Sequence, residues 1–238
     1  MSEERVKILV LGPSRSGKST IANFLAGLRE TPTKGYYETQ PLRILEVEIG
    51  LDNLKVSGRH VVGPKKAIVQ LWDLGGSSKH QAGWQAVAAN ADGIIYVFNP
   101  EVRGAEKELV LWHKNFALDQ DKLDERNNFK VRVPDKHSLV FSHHSSMPEL
   151  AVGDNAIPSL PKQLRGVRAI ETSLDYQSGN FKEAFDAMVE QIVVSRIVAG
   201  RMRFCKRSVR LEMHLGWCVE VDGGGRILFM TVFLFAAV

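Results

Sequence analysis

Cysteine is nearly missing from this sequence: Cys205 and Cys218 are the only two in 238 residues, and both lie toward the C-terminal end. Residues 1–200 therefore cannot close a disulfide among themselves, nothing points to an oxidising compartment, and a cytoplasmic setting is expected. A secretory leader is lacking as well, because the charged opening Met1-Ser2-Glu3-Glu4-Arg5 runs into a strand pattern instead of an apolar core. Serine at position 2 excludes N-myristoylation, and no cysteine stands at the end for prenylation. The apolar stretch Ile227 to Val238 is twelve residues long, short of the roughly 20 that span a bilayer. No direct membrane anchor is expected.

Charge of one sign is also missing from most of the chain. Residues 1–200 hold 25 Lys/Arg against 24 Asp/Glu, and residues 201–238 hold six against three. The net +4 sits largely in the tail, so the balance gives no argument for nucleic acid. No internal repeat is found. With 44% apolar and 24% charged residues, the expectation is one full core plus an appendage: a domain over 1–200 and a basic, then apolar, tail over 201–238.

What is present is an alternation of strands and helices. Lys7 to Leu11 reads as a buried strand, residues 12–17 as a glycine loop, and Ser19 to Leu28 as a helix with Ile21, Phe24, Leu25 and Leu28 on one face. Residues 42–49 and 67–72 read as an antiparallel pair, while 93–98 and 139–142 have the continuous apolar character of interior parallel strands. Helices are expected over 79–90, 104–117 and 180–198, and surface loops over 118–136 and 146–161. The pattern predicts an α/β fold with a doubly wound, mostly parallel sheet and a ligand at the carboxyl ends of its strands.

Gly12-Pro13-Ser14-Arg15-Ser16-Gly17-Lys18-Ser19 matches G-x-x-x-x-G-K-[ST], and it follows a strand and opens a helix. Such a loop cradles phosphate on backbone N–H groups at a helix N-terminus, so residues 12–17 with Thr20 are read as phosphate-binding. Lys18 would neutralise β/γ oxygens and the Ser19 hydroxyl would ligate Mg2+. Trp72-Asp73-Leu74-Gly75-Gly76 ends a strand, which assigns Asp73 to the Mg2+ side and the Gly76 N–H to a γ-phosphate. Thr39 is the candidate switch threonine and third Mg2+ ligand, with Thr31 and Thr33 as rivals. The motifs call for Mg2+ and a nucleoside di- or triphosphate, which the resemblance below makes GTP or GDP.

Taken together, GPSRSGKS, TQPLRILEVE, WDLGG, VFSHHSS (140–146) and ETSL (171–174) resemble the Rab-like small GTPase of intraflagellar transport complex B. The resemblance covers roughly residues 4–196 and implies a small GTPase (P-loop) fold. It also implies a His-His pair at the base-reading site, which places His143, His144, Ser145 and Ser146 with the backbone of Ser173 and Leu174 around the base. The adjacent histidines point to opposite faces of an extended chain and are poorly arranged to chelate one metal. Where Ras-like proteins carry the water-orienting glutamine this chain has Ser77, and Gln81 lies four residues too late to replace it. At most slow GTP hydrolysis is expected, with no confident catalytic residue. The tail departs from the family; it reads as an added interaction segment or as an alternative or mistaken reading of the gene.

The resemblance implies a switch or adaptor in ciliary transport and cilium assembly. Its partner would be the coiled-coil heterodimer of the complex, and its location the cytoplasm and the cilium or flagellum with its base. Two alternatives stand beside it: a structural pseudo-GTPase with constitutively bound nucleotide, and a P-loop hydrolase or kinase acting on a small molecule. Intact Gly17-Lys18-Ser19 with Asp73 favours the switch, and Ser77 speaks against efficient hydrolysis.

Overall fold

Strand β1 (Glu3–Leu11) alternates its side chains between two faces, and both faces are apolar and buried from Ile8 onward. A strand buried on both sides must lie inside a sheet with layers above and below. The computed structural model builds that arrangement; it describes residues 3–28, 38–39, 41–52, 54–56, 58–61, 63–123, 129–144, 160–172, 178–215, 219–221 and 227–229.

After β1 come helix α1 (Lys18–Leu25), strand β2 (Leu42–Gly50), the short pair β3 (Lys55–Val56) and β4 (Arg59–His60), and strand β5 (Lys66–Leu74). A 3-10 turn (Ser78–Gly83) leads into helix α2 (Trp84–Ala88), then β6 (Gly93–Phe98) and helix α3 (Ala105–Phe116). Strands β7 (Leu118–Leu123) and β8 (Phe129–Val131) precede β9 (Ser138–His143) and β10 (Arg168–Thr172). Helix α4 (Ser178–Leu215) and the antiparallel pair β11 (Val219–Val221) and β12 (Ile227–Phe229) complete the order.

Six strands form the main sheet in the order β10-β9-β6-β1-β5-β2. Every pairing is parallel except β2 with β5, where Arg43 faces Asp73 and Ile44 faces Trp72. One face packs Leu9, Leu11, Tyr96 and Phe98 against α2 and α3, around Trp84, Trp112 and Phe116 with ring centroids 4.6 to 5.6 Å apart. Aromatic pairs of this kind contribute about 0.5–1.5 kcal/mol each beyond the area they bury. On the other face Phe181 lies 4.6 Å from Phe24 of α1 and 5.6 Å from Phe141 of β9. Helices on both faces make the fold doubly wound, the α/β architecture of small GTPases.

Three expectations change in detail. Residues 118–131 contain the paired strands β7 and β8, not only loop. Their short, mixed sequences LDQDKL and FKV carry no sustained apolar alternation to mark a strand. The helix over 79–90 is a 3-10 turn followed by α2, with Gly83 between them. The last helix runs well past residue 198, to Leu215. The chain divides into two units, residues 1–194 and 195–238. Among the described residues no helix is long and apolar enough to cross a membrane.

Candidate functional site

Each of the glycines in the loop after β1 meets a steric demand. Gly12 has φ +148°, and a Cβ there would drive into the carbonyl oxygen of Val97 on β6. Gly17, at φ +86°, is the N-cap of α1; a side chain would run into the His143 ring, with Nε2 at 2.9 Å and Cγ at 3.2 Å. No side chain caps α1, which leaves its first N–H groups available to an anion. Arg15 takes φ +61°, a left-handed conformation that costs a non-glycine residue about 1–2 kcal/mol. Backbone strain of this sort concentrates at ligand-gripping loops.

Lys18 is buried beneath the loop, its Nζ donating to the Pro13 carbonyl at 2.6 Å and lying 3.5 Å from Ser16 Oγ. Burial pushes its pKa down to about 8, against the upward pull of Asp73, Glu108 and Glu38. An ammonium so placed gains from any anion in the loop. Thr20 follows on α1, half-buried.

Ser19 Oγ and Thr39 Oγ1 sit 2.8 Å apart, although twenty residues separate them in sequence. Asp73, at the end of β5, is fully buried. Its Oδ2 accepts from Arg43 Nη2 at 3.1 Å, while Oδ1 is buried without a hydrogen-bond partner. Desolvation raises the Asp73 pKa, and the Ser19 hydroxyl, Arg43 and Lys18 oppose that rise. Two hydroxyls and an orphaned carboxylate oxygen are hard donors, a set that suits Mg2+ sharing its shell with phosphate and water.

The two glycines after Asp73 are wedged against their neighbours. The Gly75 N–H donates to the Pro41 carbonyl at 2.9 Å, and a Cβ on Gly76 would strike the Ser14 backbone nitrogen. Ser77 points its Oγ at the Lys79 N–H, 3.4 Å away, capping the 3-10 turn. It lines a cleft of about 360 Å³ bounded by residues 13–16, Gly76, Ser78, Asn99 and Glu108. Gln81 is exposed on that turn.

At the other end of the loop, His143 closes β9 with Nδ1 3.2 Å from Thr172 Oγ1 and its ring against Gly17. The His144 N–H donates to the Thr172 carbonyl at 2.9 Å; its Nδ1 lies 3.6 Å from Glu101 Oε1, and its Nε2 is buried without a partner. Ser145, Ser146, Ser173, Leu174, Thr31 and Thr33 lie outside the described residues. The fold thus gathers Lys18, Ser19, Thr39, Asp73 and Gly76 around one loop, with His143 against its far side.

Arg43 was not singled out from the sequence. It lies inside the TQPLRILEVE segment, which points to the family and not to a role for the arginine; the signal for its role is register: with 42–49 antiparallel to 67–72, an arginine falls opposite Asp73.

Fold and site together define a P-loop nucleotide-binding protein of the small GTPase type. The profile of the ADP-ribosylation factor family matches residues 1–107. Intraflagellar transport protein 22 of Trypanosoma brucei brucei is 74% identical over 199 residues, covering 84% of this chain and 91% of that protein. The intraflagellar transport protein 22 homolog of Danio rerio is 30% identical over 189 residues, 79% and 90% of the two chains. Among solved structures, GTP-bound T. brucei IFT22/74/81 aligns with a TM-score of 0.63 at 65% identity, over 82% of this chain and 99% of that one. GDP-bound T. brucei IFT22 aligns with a TM-score of 0.58 at 58% identity, over 81% and 99%. The chain belongs to the intraflagellar transport protein 22 family.

Proposed function

We propose that this chain is a GTP-binding small GTPase-like subunit of intraflagellar transport complex B, a switch or adaptor whose ordered loops dock a partner in ciliary transport. The observation that carries the reading is the convergence of Lys18, Ser19, Thr39 and Asp73 on a loop whose Gly12 and Gly17 leave no room for a Cβ. Residues 12–20 and Gly76 hold the phosphates, and Ser19, Thr39 and Asp73 hold Mg2+, which when bound offsets phosphate charge. Relatives of 58–65% identity with GTP or GDP bound support the ligand.

Thr39 and Gly76 come from the two segments that a γ-phosphate orders in proteins of this type. A partner that reads those segments reads the nucleotide. By analogy with the IFT22/74/81 assembly of the T. brucei relative, the partner is the coiled-coil heterodimer of the complex, met in the cytoplasm and at the cilium or flagellum. Residues 1–200 carry this function, with 201–238 an appendage.

A second reading has its own observation. The Ser77 hydroxyl caps the turn that follows it and is too short to orient water, so nucleotide would persist as a structural component. The test is to identify the nucleotide that co-purifies, then to compare capture of the heterodimer by GTP- and GDP-loaded protein. Triphosphate-dependent capture supports the switch; equal capture supports the structural role; a chain that holds neither nucleotide overturns both.

A further inference from the structure

The cation nearest the metal-facing carboxylate belongs to the protein itself. Arg43 stands opposite Asp73 across the β2–β5 ladder and places Nη2 3.1 Å from Asp73 Oδ2 and 3.3 Å from the Ser19 carbonyl oxygen. Asp73 is 0% exposed, whereas the Arg43 side chain is 37% exposed at the sheet edge. Arg43 Nε is buried without a partner, so the two contacts of Nη2 are what fix the guanidinium among the described residues. The arginine follows Thr39 by four residues on the strand that leaves the first switch segment. Asp73 precedes the Gly75-Gly76 turn of the second.

We propose that Arg43 is an internal counter-cation for Asp73, one that stands in for the charge of Mg2+ when the metal leaves and thereby weakens the hold of the site on Mg2+. The inference rests on the assignment of Ser19, Thr39 and Asp73 as the metal site. A buried carboxylate that loses its hydrogen-bonded cation is strongly destabilising, because its lost hydration is not replaced; Lys18 acts on Asp73 as a nearby charge, and Arg43 is the cation hydrogen-bonded to it. Arg43 spares the metal-free protein that loss. With Mg2+ beside Asp73 the same guanidinium is less needed, since two cations then share one carboxylate and repel each other.

The thermodynamic cycle fixes the sign. Removing Arg43 harms the metal-free form more than the metal-bound form, so Mg2+ binding tightens. An arginine that merely tied β2 to β5 would harm both forms alike and leave Mg2+ affinity unchanged. One that oriented Asp73 for the metal would make Mg2+ bind more weakly on its removal, by the 10–100-fold typical of lost outer hydrogen bonds to ligands. The three roles give three different signs.

The experiment uses the full chain loaded with a fluorescent GDP analogue and titrated with Mg2+ after chelation, in parallel with thermal melts. In Arg43→Gln the half-saturating Mg2+ concentration should fall by about tenfold, the equivalent of 1.4 kcal/mol. Melting in chelator should drop, and Mg2+ should restore most of the loss. Arg43→Lys, which keeps the charge, should stay within about threefold of the original chain. If Arg43→Gln does not fold, Mg2+ during refolding or Asp73→Asn in the same chain should recover it; failure of both rescues overturns the proposal. An unchanged or raised half-saturation in Arg43→Gln also overturns it. Absence of any Mg2+ response in the unmodified chain would instead refute the metal site on which the proposal rests.

Discussion

Raising the pH from 7 to 9 should weaken nucleotide binding about tenfold through Lys18. Burial holds this ammonium at about 8 in the nucleotide-free chain, well below its ordinary 10.5. A di- or triphosphate laid on the loop adds negative charge beside Nζ and restores the protonated form. Regaining the ordinary value is worth about 3 kcal/mol. Below pH 8 the lysine carries its proton in both states and affinity is flat. Above pH 8 binding must first take up a proton, so affinity falls by up to about tenfold per pH unit until the bound-state value is reached. At pH 8 half of the free lysines are neutral, and binding should consume about half a proton. Calorimetry of GDP binding in two buffers of different ionisation enthalpy measures that number directly. ADP serves as a control, because adenine has no ring proton to lose in this range. Folding obeys the opposite trend: between pH 8 and 10.5 the unfolded chain keeps a proton that the folded chain has released, so this lysine makes the nucleotide-free protein more stable as pH rises. Zero proton uptake at pH 8, with affinity constant to pH 9, would show that Lys18 is not the group facing the phosphates.

Gly17→Ala places a Cβ in the His143 ring at a φ of +86° and should lower stability by roughly 1–3 kcal/mol, with loss of nucleotide. Adding His143→Ala in a double-mutant cycle should recover only the steric part; complete recovery in denaturant melts would mean the backbone conformation is unimportant. Intrinsic hydrolysis should sit at or below the order of 10⁻⁴ per second, as for unassisted Ras, because Ser77 caps its own turn. Single-turnover assays decide it, and a rate near one per second without a partner refutes it. His144→Ala should weaken GTP and ATP by similar factors in competition titrations; a loss confined to GTP would make His144 a guanine reader.

The phosphate end of the site was legible because its determinants are contiguous. Eight residues between a strand and a helix state the loop, and WDLGG states the second switch segment. Thr39 is preferred to Thr31 and Thr33 in sequence only by its distance from the next strand; its 2.8 Å separation from Ser19 is a property of the fold, and the two rivals lie outside the described residues. Arg43 was illegible for a different reason. In LRILEVEI it looks like any charged residue on an alternating edge strand, and its meaning comes from a cross-strand neighbour thirty residues away. Strands β7 and β8 are hidden by the opposite problem, since two short segments of mixed polar and apolar residues have no sustained periodic face to read. Local order carried by apolar alternation shows in sequence, whereas pairing carried by backbone or by a single ion pair does not.

The histidine pair bears on where affinity is held. In a base-reading site the residue at the end of β9 would turn its polar atoms to the ligand, yet His143 has Nδ1 committed to Thr172 and its ring pressed on Gly17. That makes it a brace between β9, β10 and the phosphate loop. His144 is anchored through its N–H to the Thr172 carbonyl and faces Glu101, which leaves only the buried Nε2 without a partner. A site that hydrogen-bonds a base edge through buried, committed groups can reject an analogue by about 10⁴–10⁵, and one imidazole nitrogen falls far short of that. GTP should therefore be held mainly through its phosphates and Mg2+, with a preference over ATP well below that of a Rab protein. The brace and the phosphate dependence are connected, because a loop fixed at both ends, by His143 on Gly17 and Gly76 on Ser14, presents its N–H groups in place before the ligand arrives. Preorganisation of that kind favours any nucleotide with the right phosphates. A GTP advantage of four orders of magnitude in competition titrations would require a donor-acceptor pair supplied by residues 145–159 or 173–177, and would make the His-His segment an alternative reader of guanine.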